Sequence, residues 1–277
     1  MAILTYNGRP IDCGSYLQPI SVLPNDWSFI STGEDIWIDL DGVAHYSGGA
    51  TQQYLDGSTW NNMTISGGYY TERGRYIWND GTNYYYSAGK SANQYKFTVS
   101  VNGSRLDVSF KRWTNAPTNL YGGSIWKAGS NIYHTYAWST HVLDASTSTW
   151  SEKTWNGFIP GSGQNVWTDG EHYYFSAGSD QYVLDISTST WSPKTWYGLT
   201  SFNGVNVWTL GGQIYCSNGS RHYVLNPSTS TWSEIYPGVS FEGSYVWEHG
   251  GNGYINGNYI IVDNSSSQYN FISYETT

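Results

Sequence analysis

The chain is short of charge, of cysteine and of long apolar runs. Only 12% of its 277 residues are charged, and 12 basic side chains face 21 acidic ones, a net charge of −9. Without a basic cluster it cannot gather phosphates, so nucleic acid is not an expected partner. Cys13 and Cys216 are the two cysteines, too isolated for a disulfide framework or a thiolate metal site. No apolar run approaches the length of a membrane span. The start, Met1 to Pro10, lacks a basic segment followed by an apolar one, so no signal peptide is expected either. Helix-favouring residues are scarce, with two Met and six Lys.

What the chain has is aromatics and glycine: 15 Trp, 26 Tyr, 8 Phe and 32 Gly. Aromatic and β-branched residues suit pleated, packed surfaces, while Gly and Asn suit tight turns, which predicts an all-β protein. The aromatics are ordered along the chain. Trp37, Trp78, Trp126, Trp167, Trp208 and Trp247 lie 41, 48, 41, 41 and 39 residues apart, each directly after Val or Ile. A period near 40 over most of a chain marks a repeat architecture.

The fourth repeat shows the unit most clearly. Val166 to Thr168 reads as a short strand, Asp169-Gly170 as a hairpin turn, Tyr173 to Ser176 as a second strand and Tyr182 to Leu184 as a third. A polar loop from Asp185 to Thr190 leads to Trp191, which opens a fourth strand running to Trp196. Four antiparallel strands in about 40 residues form one propeller blade. The expected fold is therefore an all-β, six-bladed β-propeller of four-stranded antiparallel blades over residues 31–277, with a non-repeat segment at 1–30. That segment, with Pro10, Pro19, Pro24 and Trp27, is expected to be an extra strand or an attachment arm. The second repeat carries extra residues, read as two long strands, Gln94 to Val101 and Arg105 to Trp113, around Asn102-Gly103. Cys216 aligns with Phe175 and is expected to be a small buried residue.

The segment from Asn226 through Pro227 to Trp232, with Asp185 to Trp191 and Asp144 to Trp150 at the same spacing, resembles the kelch pattern. Its glycine pair survives as Gly48-Gly49 and is weakened to Ala88-Gly89, Ala177-Gly178 and Asn218-Gly219. The resemblance covers roughly residues 33–277 and implies the propeller. It says little of activity, since one fold hosts many functions.

Catalytic patterns are sparse. His45, His134, His141, His172, His222 and His249 fall at different repeat positions without metal-ligand spacing, and Gly161-Ser162-Gly163 reads as a loop and not a nucleophile elbow. The stretch Asp56 to Trp60 lacks one residue of the sialidase-type turn. Asp39, Asp41, Asp80 and Asp169 lie at first hairpin turns. Clustered oxygens suit Ca²⁺, but Asp-Gly is also ordinary turn chemistry, and the turn reading is preferred. No enzyme, metal or cofactor is expected.

Function is sought where a repeat departs from its neighbours. Twelve residues after the strand-one Trp stand Ser179 and Ser220, but Trp138 in the third repeat. The second-turn loops share one face with the crossovers between blades. Those crossovers carry Phe29, Tyr70, Tyr121, Phe158, Phe202 and Phe241, read chiefly as plugs for the axial end of the core. The candidate binding set is Trp138, Tyr121, Phe158, Phe202, Arg221, His222 and Phe241. Aromatic rings among Asn, Ser and Tyr suit sugars, whose CH faces stack on π faces.

The composition, rich in Tyr, Gly, Ser, Thr and Asn and poor in Lys, resembles that of bacteriophage virion appendage proteins. That resemblance implies a virion- or tail-associated recognition module, made in a host cytoplasm. Its partner would be a host surface glycan or another virion protein, the latter met through the N-terminal segment. A cytoplasmic interaction module and a carbohydrate-active enzyme are the alternatives.

Overall fold

Each strand-one Trp sits in a short strand because a β-branched residue precedes it and suits extended, packed backbone. A computed structural model describes residues 5–6, 9–10, 36–48, 51–57, 59–67, 73–89, 93–100, 102–235, 240–249, 252–255, 258–262 and 271–274. Thr5–Tyr6 pairs with Arg9–Pro10. The rest of the 1–30 segment, including Cys13, Trp27 and Phe29, lies outside the described residues, as does Tyr70.

The chain is an all-β propeller of antiparallel blades. The first blade is Ile36–Ile38, Ala44–Gly48, Thr51–Asp56 and Thr59–Asn62. The second is Ile77–Asn79, Tyr84–Tyr86, Asn93–Val99 and Arg105–Arg112. The third is Ile125–Ala128, Asn131–Tyr136, Ser139–Asp144 and Thr149–Lys153. The fourth is Val166–Thr168, Tyr173–Ala177, Asp180–Asp185 and Thr190–Pro193. The fifth is Val207–Leu210, Gln213–Asn218, Arg221–Asn226 and Thr231–Ile235. In the last repeat Val246–His249, Asn252–Ile255, Asn258–Val262 and Phe271–Tyr274 pair in order. Its side chains are described only as far as Tyr254. Five blades are thus described in full, against the six expected from the Trp series.

The four-stranded antiparallel blades are as expected, and two of them gain a further strand. After its fourth strand the chain runs along the outer edge of the next blade and adds to it in parallel. Thr64–Ser66 joins Arg105–Asp107 and Asn156–Gly157 joins Thr190–Trp191, which makes two five-stranded sheets. Thr114 and Tyr197 make single parallel bridges to Thr149 and Thr231. The fourth strand of the fourth blade accordingly stops at Pro193 and does not reach Trp196.

The Trp series is buried between blades. Each indole packs on an aromatic of its own second strand, as in Trp126 on Tyr133 at 4.5 Å and Trp208 on Tyr215 at 4.5 Å. For Trp78, Trp126 and Trp167 the other neighbour is an outer-strand Trp of the next blade, as in Trp126 against Trp191 at 6.1 Å and 62°, while Trp37 meets Phe97. The buried indole N–H needs an acceptor. A hydroxyl on the second strand supplies it: Ser47, Ser87, Thr135, Ser176 and Ser217 lie 2.8–3.0 Å from Trp37, Trp78, Trp126, Trp167 and Trp208. In the first blade His45 replaces Tyr in the stack, 4.2 Å from Trp37. Cys216 is fully buried, as expected, and burial pushes its thiol up to about 12.

A second series stiffens the outer rim. Lys111, Lys153 and Lys194 lie 4.7, 4.8 and 4.5 Å over the rings of Trp113, Trp155 and Trp196. Each ammonium donates to a serine in the next blade: Ser148, Ser189 and Ser230, at 2.5, 2.6 and 2.7 Å. These serines end the loops that Asp144, Asp185 and Asn226 begin. Asp144 and Asp185 accept the N–H of Ser146 and Ser187 at 3.0 and 2.9 Å, so the kelch-like acidic position is a turn cap.

Around the axis, a 3-10 turn precedes four of the inner strands just described and the strand Val246–His249: Gly74–Tyr76, Gly122–Ser124, Gly163–Asn165, Gly204–Asn206 and Gly243–Tyr245. The turns stack nose to tail. A Cβ at Gly122 would fall on the carbonyl oxygen of Tyr76, and one at Gly204 on that of Asn165. Glycine is required here because the backbones touch.

Candidate functional site

The third blade departs from its neighbours at its second turn. In the fourth and fifth blades this turn is Gly178-Ser179 and Gly219-Ser220, with the glycines at φ +64° and +62°. In the third it is Ala137-Trp138, both left-handed, at φ +50° and +70°. A bulky residue in that region is a genuine outlier, and such strain clusters at functional sites. Ala137→Gly is therefore expected to stabilise the fold by about 0.5–1 kcal/mol, since the left-handed penalty exceeds the added chain entropy. A denaturant titration checks it.

The strained turn holds the Trp138 ring out, 63% exposed. A Cβ placed on Gly161 would meet three atoms of that ring, Cη2, Cζ2 and Cζ3, at 3.2–3.3 Å. Near-equal distances mean that one face of the six-membered ring lies over Gly161. Phe158 meets the indole edge-on, at 6.2 Å and 86°. Phe158 is itself half-buried and stacks on Tyr182 at 3.9 Å. The bridge between Tyr136 and Ser162 ties hairpin to crossover. Second turns and crossovers thus meet on one face, as topology requires.

On the other side of the hairpin Tyr136, 41% exposed, meets Tyr121 at 5.7 Å, and Tyr121 meets Tyr76 at 6.3 Å. The Tyr121 N–H donates to Nε2 of buried His134 at 3.3 Å. Burial, helped by neighbouring His141, lowers His134 to about 4, so it is neutral at pH 7 and accepts. The expected binding set therefore divides. Trp138 meets Phe158, and Tyr121 meets Tyr136 of the same hairpin. Phe202, Phe241 and His222 are buried: Phe202 packs on Trp232 at 5.4 Å, and Phe241 lies 4.3 Å from His222. They offer a ligand no open surface, because the gap between blades consumes them. Arg221 is exposed on the fifth blade. Tyr136 and Ile159, both 41% exposed, the one in the hairpin of Trp138 and the other next to Phe158 in sequence, escaped the sequence reading. Tyr136 looks like any strand aromatic, and only the turn after it marks it out.

The hairpin aspartates do turn chemistry. Asp80 accepts the Thr82 and Asn83 N–H groups at 2.9 and 2.7 Å and the Tyr85 hydroxyl at 2.7 Å. Asp169 does the same with Glu171, His172 and Tyr174. Asp39 takes the Asp41 and Val43 N–H groups, and His45 at 2.8 Å. Burial works against ionising Asp39, but these bonds hold its carboxyl below the usual range. Among the described residues no three His, Cys, Asp or Glu side chains converge as metal ligands. At the opposite end of the fourth blade, Glu171, Tyr173, Asp185 and Ile186 line an open groove of about 400 Å³.

No protein-family model and no curated protein matches the chain. Solved structures do. The extracellular domain of a hybrid two-component system from B. thetaiotaomicron is 13% identical, with a TM-score of 0.50, over 87% of this chain and 35% of that one. The extracellular domain of a one-component system from the same organism is 12% identical, with a TM-score of 0.44, over 79% and 36%. This chain spans roughly a third of their length. Both are extracellular domains of bacterial signalling systems, so the expected phage association finds no support in them. At this identity what the first likeness shows is the fold, a β-propeller.

Proposed function

We propose that the chain is a non-catalytic recognition module that binds sugars on the face built from second turns and crossovers, with Trp138 as the main platform. The observation that carries this reading is a bulky ring held in a left-handed turn, with one face on Gly161 and 63% of the residue exposed. A flat indole with Tyr hydroxyls beside it suits a pyranose, whose CH groups stack while its hydroxyls find partners. Trp138→Ser restores the residue type of the equivalent turns, so the fold should survive. Binding to a glycan array should fall at least about tenfold, the effect of a contact worth about 1.4 kcal/mol. Unchanged binding with an intact fold would place the site elsewhere.

We infer further that six blades close the ring. Trp247 meets Trp60 of the first blade at 6.3 Å and 64°, close to the 6.2 Å and 65° of Trp78 and Trp150. Val246–His249 lies against both Val207–Leu210 and Ile36–Ile38. Trp247 and Tyr254 share a cluster with Ala44 and Leu55. This repeats the seam found between the described blades.

A further inference from the structure

We infer that the site holds two aromatic subsites, one on each side of the third-blade hairpin, and that its ligand is an uncharged oligosaccharide long enough to touch both. This rests on the carbohydrate reading above and extends it. Tyr136 directly precedes the strained Ala137-Trp138 turn. The two exposed rings of this hairpin lean in different directions. Tyr136 turns to Tyr121, on the crossover into the third blade, at 5.7 Å. Trp138 turns to Phe158, on the crossover into the fourth, at 6.2 Å. Each pair joins the hairpin to a crossover, and the two crossovers run on into the axial turns Gly122–Ser124 and Gly163–Asn165.

A single sugar ring covers one aromatic face, so one monosaccharide cannot engage both pairs. A linear chain can, because successive rings present CH faces at intervals. The paired rings Tyr121 and Tyr136, and Trp138 and Phe158, carry no charge, in a chain with 21 carboxylates. No described carboxylate stands among these rings, and the Arg75 guanidinium lies 5.0 Å over Tyr76, the neighbour of Tyr121, which disfavours a cationic peptide. Tyrosine hydroxyls and the exposed Gln164 of the neighbouring turn offer donors and acceptors for sugar hydroxyls without fixing a net charge. Tyr136 is thus assigned as the residue that sets ligand length.

Calorimetric titration with neutral cello-, malto- and chito-oligosaccharides, from monosaccharide to hexasaccharide, tests this on the full chain. In at least one series affinity should rise about five- to tenfold between the monosaccharide and the trimer or tetramer, then level off, as expected for one further ring contact. Tyr136→Ser should remove that increment and leave the shorter sugars unchanged. Tyr136→Phe, which keeps the ring, should retain it, and near-ultraviolet circular dichroism should match the parent in both variants. Trp138→Ser should weaken every length alike. Binding that needs Trp138 but does not change with length, or is indifferent to Tyr136→Ser, overturns the two-subsite inference and leaves the function above intact. No binding by any series overturns both.

Discussion

Trp167→Ala should lower the unfolding free energy by about 3–5 kcal/mol, the range for truncating a large buried aromatic. Trp167 touches Tyr174 at 4.6 Å, Trp196 at 5.6 Å and Trp232 at 6.0 Å, so the cavity opens between two blades and cannot be filled by one. The loss has a polar part as well. Ser176 is fully buried and accepts the indole N–H at 2.9 Å. Trp167→Phe, which fills much of the space but offers no N–H, should still cost about 1–3 kcal/mol. Denaturant titrations of both variants check the pair. A loss well below 1 kcal/mol for Trp167→Ala would show that the Trp series does not hold the blades together.

Gly122→Ala should cost about 3 kcal/mol, at the upper end for inserting a methyl where nothing yields. The new Cβ would land on the main-chain carbonyl of Tyr76, and both turns are held in the axial stack. The adjacent Gly123→Ala is the control. Its Cβ would meet only the Arg75 carbonyl, at an ordinary 3.5 Å, so a change within about 0.5 kcal/mol is expected. Thermal or chemical unfolding of the two variants separates backbone contact from general intolerance of the turn.

That axial stack was written in the sequence and not read from it. Gly33, Gly74, Gly122, Gly163, Gly204 and Gly243 each stand four residues before a Trp of the series. In a chain with 32 glycines the period is hard to see, and its reason, one backbone lying on the next, has no side-chain pattern. Strand order, turns and the buried Trp were legible because period-two burial and turn residues are local signals. The parallel addition of Asn156–Gly157 was not, since two residues without alternation depend on a partner more than thirty positions away. At the site, Trp138 stood out because its counterparts are serines. Phe202 and Phe241 are buried, as the plug reading of the crossovers had it, but which crossover aromatics would stay partly open was not legible. A crossover aromatic lies inside or outside according to how closely the blades approach, and no local pattern records that.

The parallel additions also give the ring a direction. Every one runs from a repeat onto the outer strand of its successor: Thr64–Ser66 forward to Arg105–Asp107, Asn156–Gly157 forward to Thr190–Trp191. A piece of the chain that starts at a later repeat would begin with a raw sheet edge, an open template for another strand. A piece that stops early would end with an unused strand of matching register. Raw edge and unused strand fit one another. Two such pieces would therefore be complementary head to tail.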